Sequence, residues 1–189
     1  MWKLNVPKPV KLIVGILAAN HKCLNMAANV LTDKFGGSDF ISDVWPFDKT
    51  DYYKDQAGLH ILRQFISFER LINPDKLAKI KHRTNKLEQK LAKQLALPLP
   101  RPVNLDPGFI EPSKLVLATT KNYSHRIYIG KKMYAEVTLI FDKGRWRPLD
   151  HTYPDYRQQC YFDFFEKVRA RLLEQLKATQ RTRTESSPA

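Results

Sequence analysis

At 189 residues the chain is long enough for one medium-sized domain with a sizeable core. Its 43% hydrophobic and 27% charged residues match ordinary globular usage and exclude an intrinsically disordered chain. The 32 Lys and Arg against 19 Asp and Glu leave a net charge of +13, which favours an anionic partner: a nucleotide, a phosphorylated metabolite or a nucleic acid.

The longest apolar run, LIVGILAA (12–19), is far shorter than the roughly 20 residues that cross a bilayer, and no cleavable signal pattern precedes it. A soluble cytoplasmic protein without membrane contact is the expectation. KLIVGILAA (11–19) reads as a buried strand rich in branched aliphatics. A helix follows, with Asn20 as cap, Leu24, Ala27, Leu31 and Phe35 at helical spacing, and Gly36 at its C-terminal end. ISDVWPF (41–47) reads as a short strand, DKTDYYKDQAG (48–58) as a polar loop, and residues 59–68 as a longer strand.

The clearest helix has Asn73 as cap, Pro74 at its first position and Leu77, Ile80, Leu87, Leu91 and Leu95 on one face. It ends before the extended connector LPLPRP (97–102). A strand near Val103 then completes a ferredoxin-like βαββαβ layer. Asp106, Pro107 and Gly108 read as a tight turn, and residues 114–120 as a short helix or strand. Residues 124–141 predict a β-hairpin. The last helix spans about 156–178, with Tyr161, Phe165, Val168, Leu172 and Leu176 on its buried stripe. The polar tail TQRTRTESSPA (179–189) is predicted to be disordered. The whole is a single α+β domain over 1–178, its ferredoxin-like first half extended by the hairpin and the C-terminal helix.

The common catalytic signatures are absent: there is no GxxxxGK[ST], no GxGxxG after a strand, and no HExxH, GxSxG or EF-hand loop. Cys23 and Cys160 have neither CxxC spacing nor a histidine partner, so no metal site is indicated, and no cofactor is named by any motif. The helix over 75–93 carries Lys76, Lys79, Lys81, Arg83, Lys86, Lys90 and Lys93 against Asp75 and Glu88, which suits either a solvated polar face or a nucleic-acid face.

In the hairpin, a three-residue loop at Gly130, Lys131 and Lys132 brings the two apolar rows together and sets Arg126 opposite Glu136 and Tyr128 opposite Tyr134. An exposed pair of that kind is worth about 0.2–1 kcal/mol of sheet stability. In a cleft, Glu136 would instead hold the guanidinium ready for a carboxylate or phosphate. Strand parity puts His125 on the opposite, apolar face from Arg126. HTYPDYRQ (151–158) places Tyr153, Asp155, Tyr156 and Arg157 at the start of the last helix, where Asp155 and Gln158 have capping-box spacing and the helix N-terminus suits an anion.

The blocks VNLDPGFIEPSKLVLATTKNYSHRIYIGKKMYAEVTLIF, PFDKTDYY, QFISFERLINPDKL and TYPDYR together resemble a family of bacterial proteins of about this length, classed only as a domain of unknown function. The resemblance covers residues 8–172 and implies one folded unit. Its recurring blocks include Asn104, Asp106, Thr120, Lys121, His125, Arg126, Glu136, Tyr153 and Asp155.

The residues therefore point to an anionic small molecule held near the 119–126 segment, the hairpin and the start of the last helix. Lys121, Tyr123, Arg126, Tyr153, Tyr156 and Arg157 are the ligand-binding candidates. Where proton transfer takes place, His125 and Glu136 are the acid and base candidates. The alternatives are an RNA-binding or ribosome-associated protein using the basic helix, and an interaction module without chemistry.

Overall fold

The branched aliphatic run near the chain start forms the central strand β1 (Val10–Ala18), buried along its whole length in a computed structural model that describes residues 2, 4–48, 57–58 and 60–185. Such burial follows from having strands on both edges and helices on both faces. One edge of β1 pairs with β4 (Leu62–Ile72) and the other with β5 (Val103–Glu111), both antiparallel. Between them in sequence come α1 (His21–Phe35), β2 (Ser38–Ile41), β3 (Trp45–Pro46) and α2 (Leu77–Leu95). The second half adds β6 (Lys114–Thr119), β7 (Ile127–Tyr128), β8 (Tyr134–Asp142), β9 (Arg145–Pro148) and α3 (Gln159–Glu185).

The mixed α+β class and the order strand, helix, strand, strand, helix, strand of the first half are those read from the sequence, with β3 as an extra two-residue strand. The nine strands form one sheet in the order β2-β4-β1-β5-β6-β8-β7, with β3 on β4 and β9 on β8. Asn20 caps α1 by accepting the Cys23 N–H at 2.9 Å, and Gly36 closes it at φ 97°, where a side chain would be strained.

Three layers result. Leu12, Val14, Ile16 and Ala18 of β1 pack against Leu24 and Leu31 of α1 and Ile80, Leu91 and Leu95 of α2. The opposite face, led by Ile13, Phe65, Ile110 and Leu139, packs against Tyr161, Phe165, Val168 and Leu172 of α3. Phe65 is the hub there, with the rings of Tyr161 at 4.8 Å and Phe165 at 5.0 Å.

Several expectations are corrected. Residues 41–47 form no single strand, because β2 and β3 pair separately with β4. Asp106, Pro107 and Gly108 are not a turn: they lie in mid-β5, opposite Gly15, Val14 and Ile13. Residues 114–119 are strand. The last helix begins at Gln159 after a 3-10 turn at Pro154–Arg157 and runs on to Glu185, so residues 179–185 of the tail are helical. Residues 186–189, and most of the 48–58 loop, lie outside the described residues. The hairpin register holds, with Tyr128 opposite Tyr134 and Ile127 opposite Ala135, but its first arm is only two residues long and β8 makes its longer pairing with β6. Nor is the apolar row of β8 continuous. Leu115 faces Leu139 while Val116 faces Val137, so Thr138 is bulged out and the parity resets there. Ala135 and Val137 pack toward Phe109 and Val116, whereas Leu139 joins the α3 core.

One feature of β5 positions the site. The Leu105 amide faces away from β1, and two residues on, Pro107 presents the same edge with no N–H to donate. Pairing with β6 accordingly begins at Gly108, opposite Leu117, and the strands part before it. Gly108 permits the close approach at that fork, since a Cβ there would lie 2.3 Å from the Val116 carbonyl oxygen. Gly108→Ala is expected to lower folding stability by about 1–3 kcal/mol or more, because a backbone atom has to move. A urea titration that shows an unchanged midpoint would contradict this account of the fork.

Candidate functional site

Where β5 parts from β6 the sheet opens into a cavity of about 950 Å³, walled by α2, by the β4–β5 surface, by the 117–126 segment with β8, and by the turn at 153–156. The free edge of β5 is satisfied by side chains in place of a strand. The Leu105 N–H donates to Glu88 Oε1 at 2.8 Å, and the Leu105 carbonyl accepts from Lys81 Nζ at 2.8 Å. Both side chains come from the buried face of α2. Glu88 also accepts from the Arg101 Nε and Nη2 at 2.9 and 2.6 Å. Burial raises the Glu88 carboxyl above the usual carboxylate range, outweighing the pull of Lys81 and Arg101.

On the α3 side of the sheet, Arg63 of β4 lies across Gly15 of β1. A Cβ on Gly15 would come within 2.9 Å of the Arg63 Nη1 and of the Phe65 ring, so the absent side chain makes room for the guanidinium. Arg63 donates to Asp155 Oδ2 at 2.8 Å, its Nη1 stands 3.8 Å from Asp106 Oδ2, and it faces the rings of Phe47, Phe65 and Tyr156 at 5.1–5.6 Å. Burial works against its charge, but Asp155 and Asp106 more than offset it, so Arg63 stays a cation. Its Nε and Nη1 nevertheless have no hydrogen-bond acceptor among the described residues. Asp106 itself takes the Asn104 Nδ2 at 2.7 Å and lies 3.6 Å from Lys81.

The third wall holds most of the residues singled out by sequence. Arg126 donates from Nε to Glu136 Oε2 at 2.7 Å, from Nη1 to the Lys121 carbonyl at 3.1 Å and from Nη2 to the Tyr153 hydroxyl at 2.7 Å, with its guanidinium 4.6 Å from the centre of the Tyr123 ring. Burial opposes this charge too, yet Glu136 and Tyr153 raise its pKa overall. The structure thus brings Lys121, Tyr123, Arg126, Glu136, Tyr153 and Tyr156 to one cavity.

His125 and Arg157 stand elsewhere. His125 and Arg126 do not diverge as strand parity predicts: His125 Nε2 lies 3.3 Å from the same Glu136 Oε2 that Arg126 holds. The reason is local. The Arg126 N–H closes a turn on the Tyr123 carbonyl and regular pairing starts only at Ile127, so alternation has not begun. His125 therefore touches Glu136 without being among the cavity's lining residues, its ring stacked on His151 at 4.4 Å. The Arg157 guanidinium caps the carbonyls of Leu149, Asp150 and Thr152 and is not among the residues that line the cavity. Asp155 is no helix cap: its carboxylate is spent on Arg63, and Gln158 donates to its backbone carbonyl.

Sequence reasoning missed Arg63, Lys81, Glu88 and Arg101 as wall residues, and gave Asp106 and Asp155 structural roles only. Among the described residues no three His, Cys, Asp or Glu side chains converge to hold a metal ion, and no helix is long and apolar enough to cross a membrane. A family model described as a domain of unknown function (DUF4416) matches residues 8–172 of the chain. No curated protein and no solved structure matches it.

Glu88→Ala leaves the buried Leu105 N–H without its acceptor and is expected to cost about 1–3 kcal/mol in urea denaturation. Glu88→Gln keeps an acceptor oxygen and loses less. Because the folded-state carboxyl is raised, its favourable contribution is full below the unfolded pKa and is lost as pH rises through the folded one. The stability of wild type relative to Glu88→Gln should therefore be greater near pH 4 than near pH 7; the opposite trend in paired urea titrations would refute the assignment.

Proposed function

The chain belongs to the DUF4416 family, a domain of unknown function, and we propose that this domain binds an anionic small molecule, a nucleotide or phosphorylated metabolite, in the cavity between β5 and β6. The observation that carries this reading is Arg63. A guanidinium 3% exposed, held as a cation by Asp155 at a cavity wall, adds a fixed positive charge to a lining in which cations outnumber carboxylates, and an anion in the cavity would offset that surplus.

The remaining walls support it. Arg63, Lys81, Lys93, Arg101, Lys121 and Arg126 face the cavity against Glu88, Asp106, Glu136 and Asp155, and each of those carboxylates is already held by at least one cation. The surplus is positive and set in a partly desolvated space, where charge acts strongly. Thr119 and Thr120 add hydroxyl groups, and Tyr123 and Tyr153 give aromatic surface at the rim. The volume of about 950 Å³ lies at the upper end of the roughly 300–1,000 Å³ usual for ligand sites, enough for a nucleotide.

The reading is one of binding. Glu136 is committed to Arg126 and Thr138, with His125 beside it, which describes a strut more than a free base. No proton transfer is assigned to either residue.

A thermal-shift screen against nucleotides and phosphorylated metabolites tests the proposal. A ligand present at about 100 times its Kd adds about 2.7 kcal/mol and visibly raises Tm. Arg63→Gln should abolish the rise while Gln64→Ala, outside the cavity, keeps it. A panel without any rise, or a rise that survives in Arg63→Gln, defeats the proposal.

A further inference from the structure

Six cations, Lys76, Lys79, Arg83, Lys86, Lys90 and Lys93, recur along α2 and the turn before it at steps of three and four residues, and all are exposed. At about 100° per residue they fill a sector about 100° wide that runs about 26 Å along the helix. Within α2 no acid breaks the stripe, since Glu88, its only carboxylate, is turned into the cavity wall; the exposed Asp75 stands at the stripe's start, in the turn beside Lys76. None of the six is paired with a carboxylate among the described residues. Like charges at these spacings repel and weaken a helix by a few tenths of a kcal/mol per pair, so such a stripe is not what helix stability by itself would select.

The stripe joins the cavity. Lys93 belongs to both, Gln89 lines the cavity one turn earlier, and His82 Nε2 contacts the Lys131 carbonyl at 2.6 Å, setting the exposed Lys131 and Lys132 against the flank of α2. A membrane surface fits poorly, because the apolar face that an interfacial helix inserts is here buried against β1. A duplex fits poorly too, because its nucleotides cannot enter a cavity without leaving the stack.

We infer that the anion of the cavity is one nucleotide of a single-stranded nucleic acid, whose neighbouring phosphates lie along the α2 stripe. This rests on the cavity reading and deepens it. The rim tyrosines Tyr123 and Tyr153, each about half exposed, offer the entering base an aromatic surface.

The test uses the full chain, a fluorescein-labelled random-sequence RNA of about 12 nucleotides, its DNA counterpart, the four nucleoside 5′-monophosphates and anionic phospholipid vesicles. Either oligonucleotide should bind more tightly than the monophosphates, with an affinity that falls steeply between about 50 and 300 mM salt. The triple variant Lys79→Glu, Arg83→Glu, Lys86→Glu should weaken oligonucleotide binding at least about tenfold and lower the salt slope by about 2, yet leave the monophosphate-induced Tm rise unchanged. The matching triple alanine variant gives the same direction with a smaller loss, which separates the effect from misfolding. Arg63→Gln should remove the monophosphate response, weaken the oligonucleotide and lower the slope by no more than about 0.7, the share of one phosphate contact. Monophosphate binding without tighter oligonucleotide binding overturns the inference and spares the cavity reading. Oligonucleotide binding indifferent to Arg63→Gln, or vesicle binding in its place, overturns the inference; if neither the monophosphates nor any member of the nucleotide and metabolite panel binds, the cavity reading falls with it.

Discussion

The loss of one backbone donor at Pro107 governs the rest of the architecture. A strand in mid-sheet that cannot complete its ladder must either sit at an edge or have its free groups met by something else. Here β5 is paired with β1 from Val103 to Ile110 and with β6 only from Gly108 onward. The orphaned Leu105 N–H then donates to Glu88 and the Leu105 carbonyl accepts from Lys81, both of the helix above. The fork is thereby held open by side chains with fixed bonds, and the cavity is a preformed consequence of topology.

Such a cavity concentrates ionisable groups where they are expensive. Arg63, Lys81, Arg126, Glu88, Glu136 and Asp155 are all buried. A buried ion pair contributes little net stability against a hydrophobic substitute, while a broken one costs about 3–5 kcal/mol. Each charge is therefore locked by its neighbours. Arg126 ties Glu136, the Lys121 carbonyl and Tyr153 together, so it joins the wall of β8 and the 117–126 segment to the 153–156 turn. Arg63 differs in having one hydrogen-bonded carboxylate, Asp155, with its remaining nitrogens packed out of solvent beside Gly15 and the aromatic rings.

The elements that were legible in the sequence are those governed by local physics. Apolar period and caps located α1 and α2, and loop length set the 126–136 register, because each depends on residues near one another in the chain. The fork was not legible. DPG has the composition of a turn, and only the long-range pairing of Gly15 with Asp106 makes it strand. Arg63 sits in an otherwise strand-like apolar segment, and its meaning comes from Gly15, nearly fifty residues away. One signal was present and went unread: on α2 the buried positions Leu77, Lys81, Thr84, Glu88, Leu91 and Leu95 follow a strict helical period, so two opposite charges in the middle of an apolar face marked a polar site facing inward. His125 failed for a different reason, since parity was applied to a residue that still belongs to a turn.

The lysines and arginine of α2 divide into two populations that composition alone merges. Lys81 is buried and bonded to a carbonyl, so its charge is consumed in closing the β5 edge. The six exposed cations share no such duty and lie on a separate sector of the same helix. One helix can carry both because its apolar face and its solvent-facing sector lie apart, with the cavity-facing residues between them and Lys93 at the border of cavity and stripe. The stripe therefore owes nothing to the fold, whereas Lys81 and Glu88 owe their positions to it. Substitutions on the exposed sector probe recognition with the scaffold left standing, and substitutions at Lys81 or Glu88 cannot separate the two.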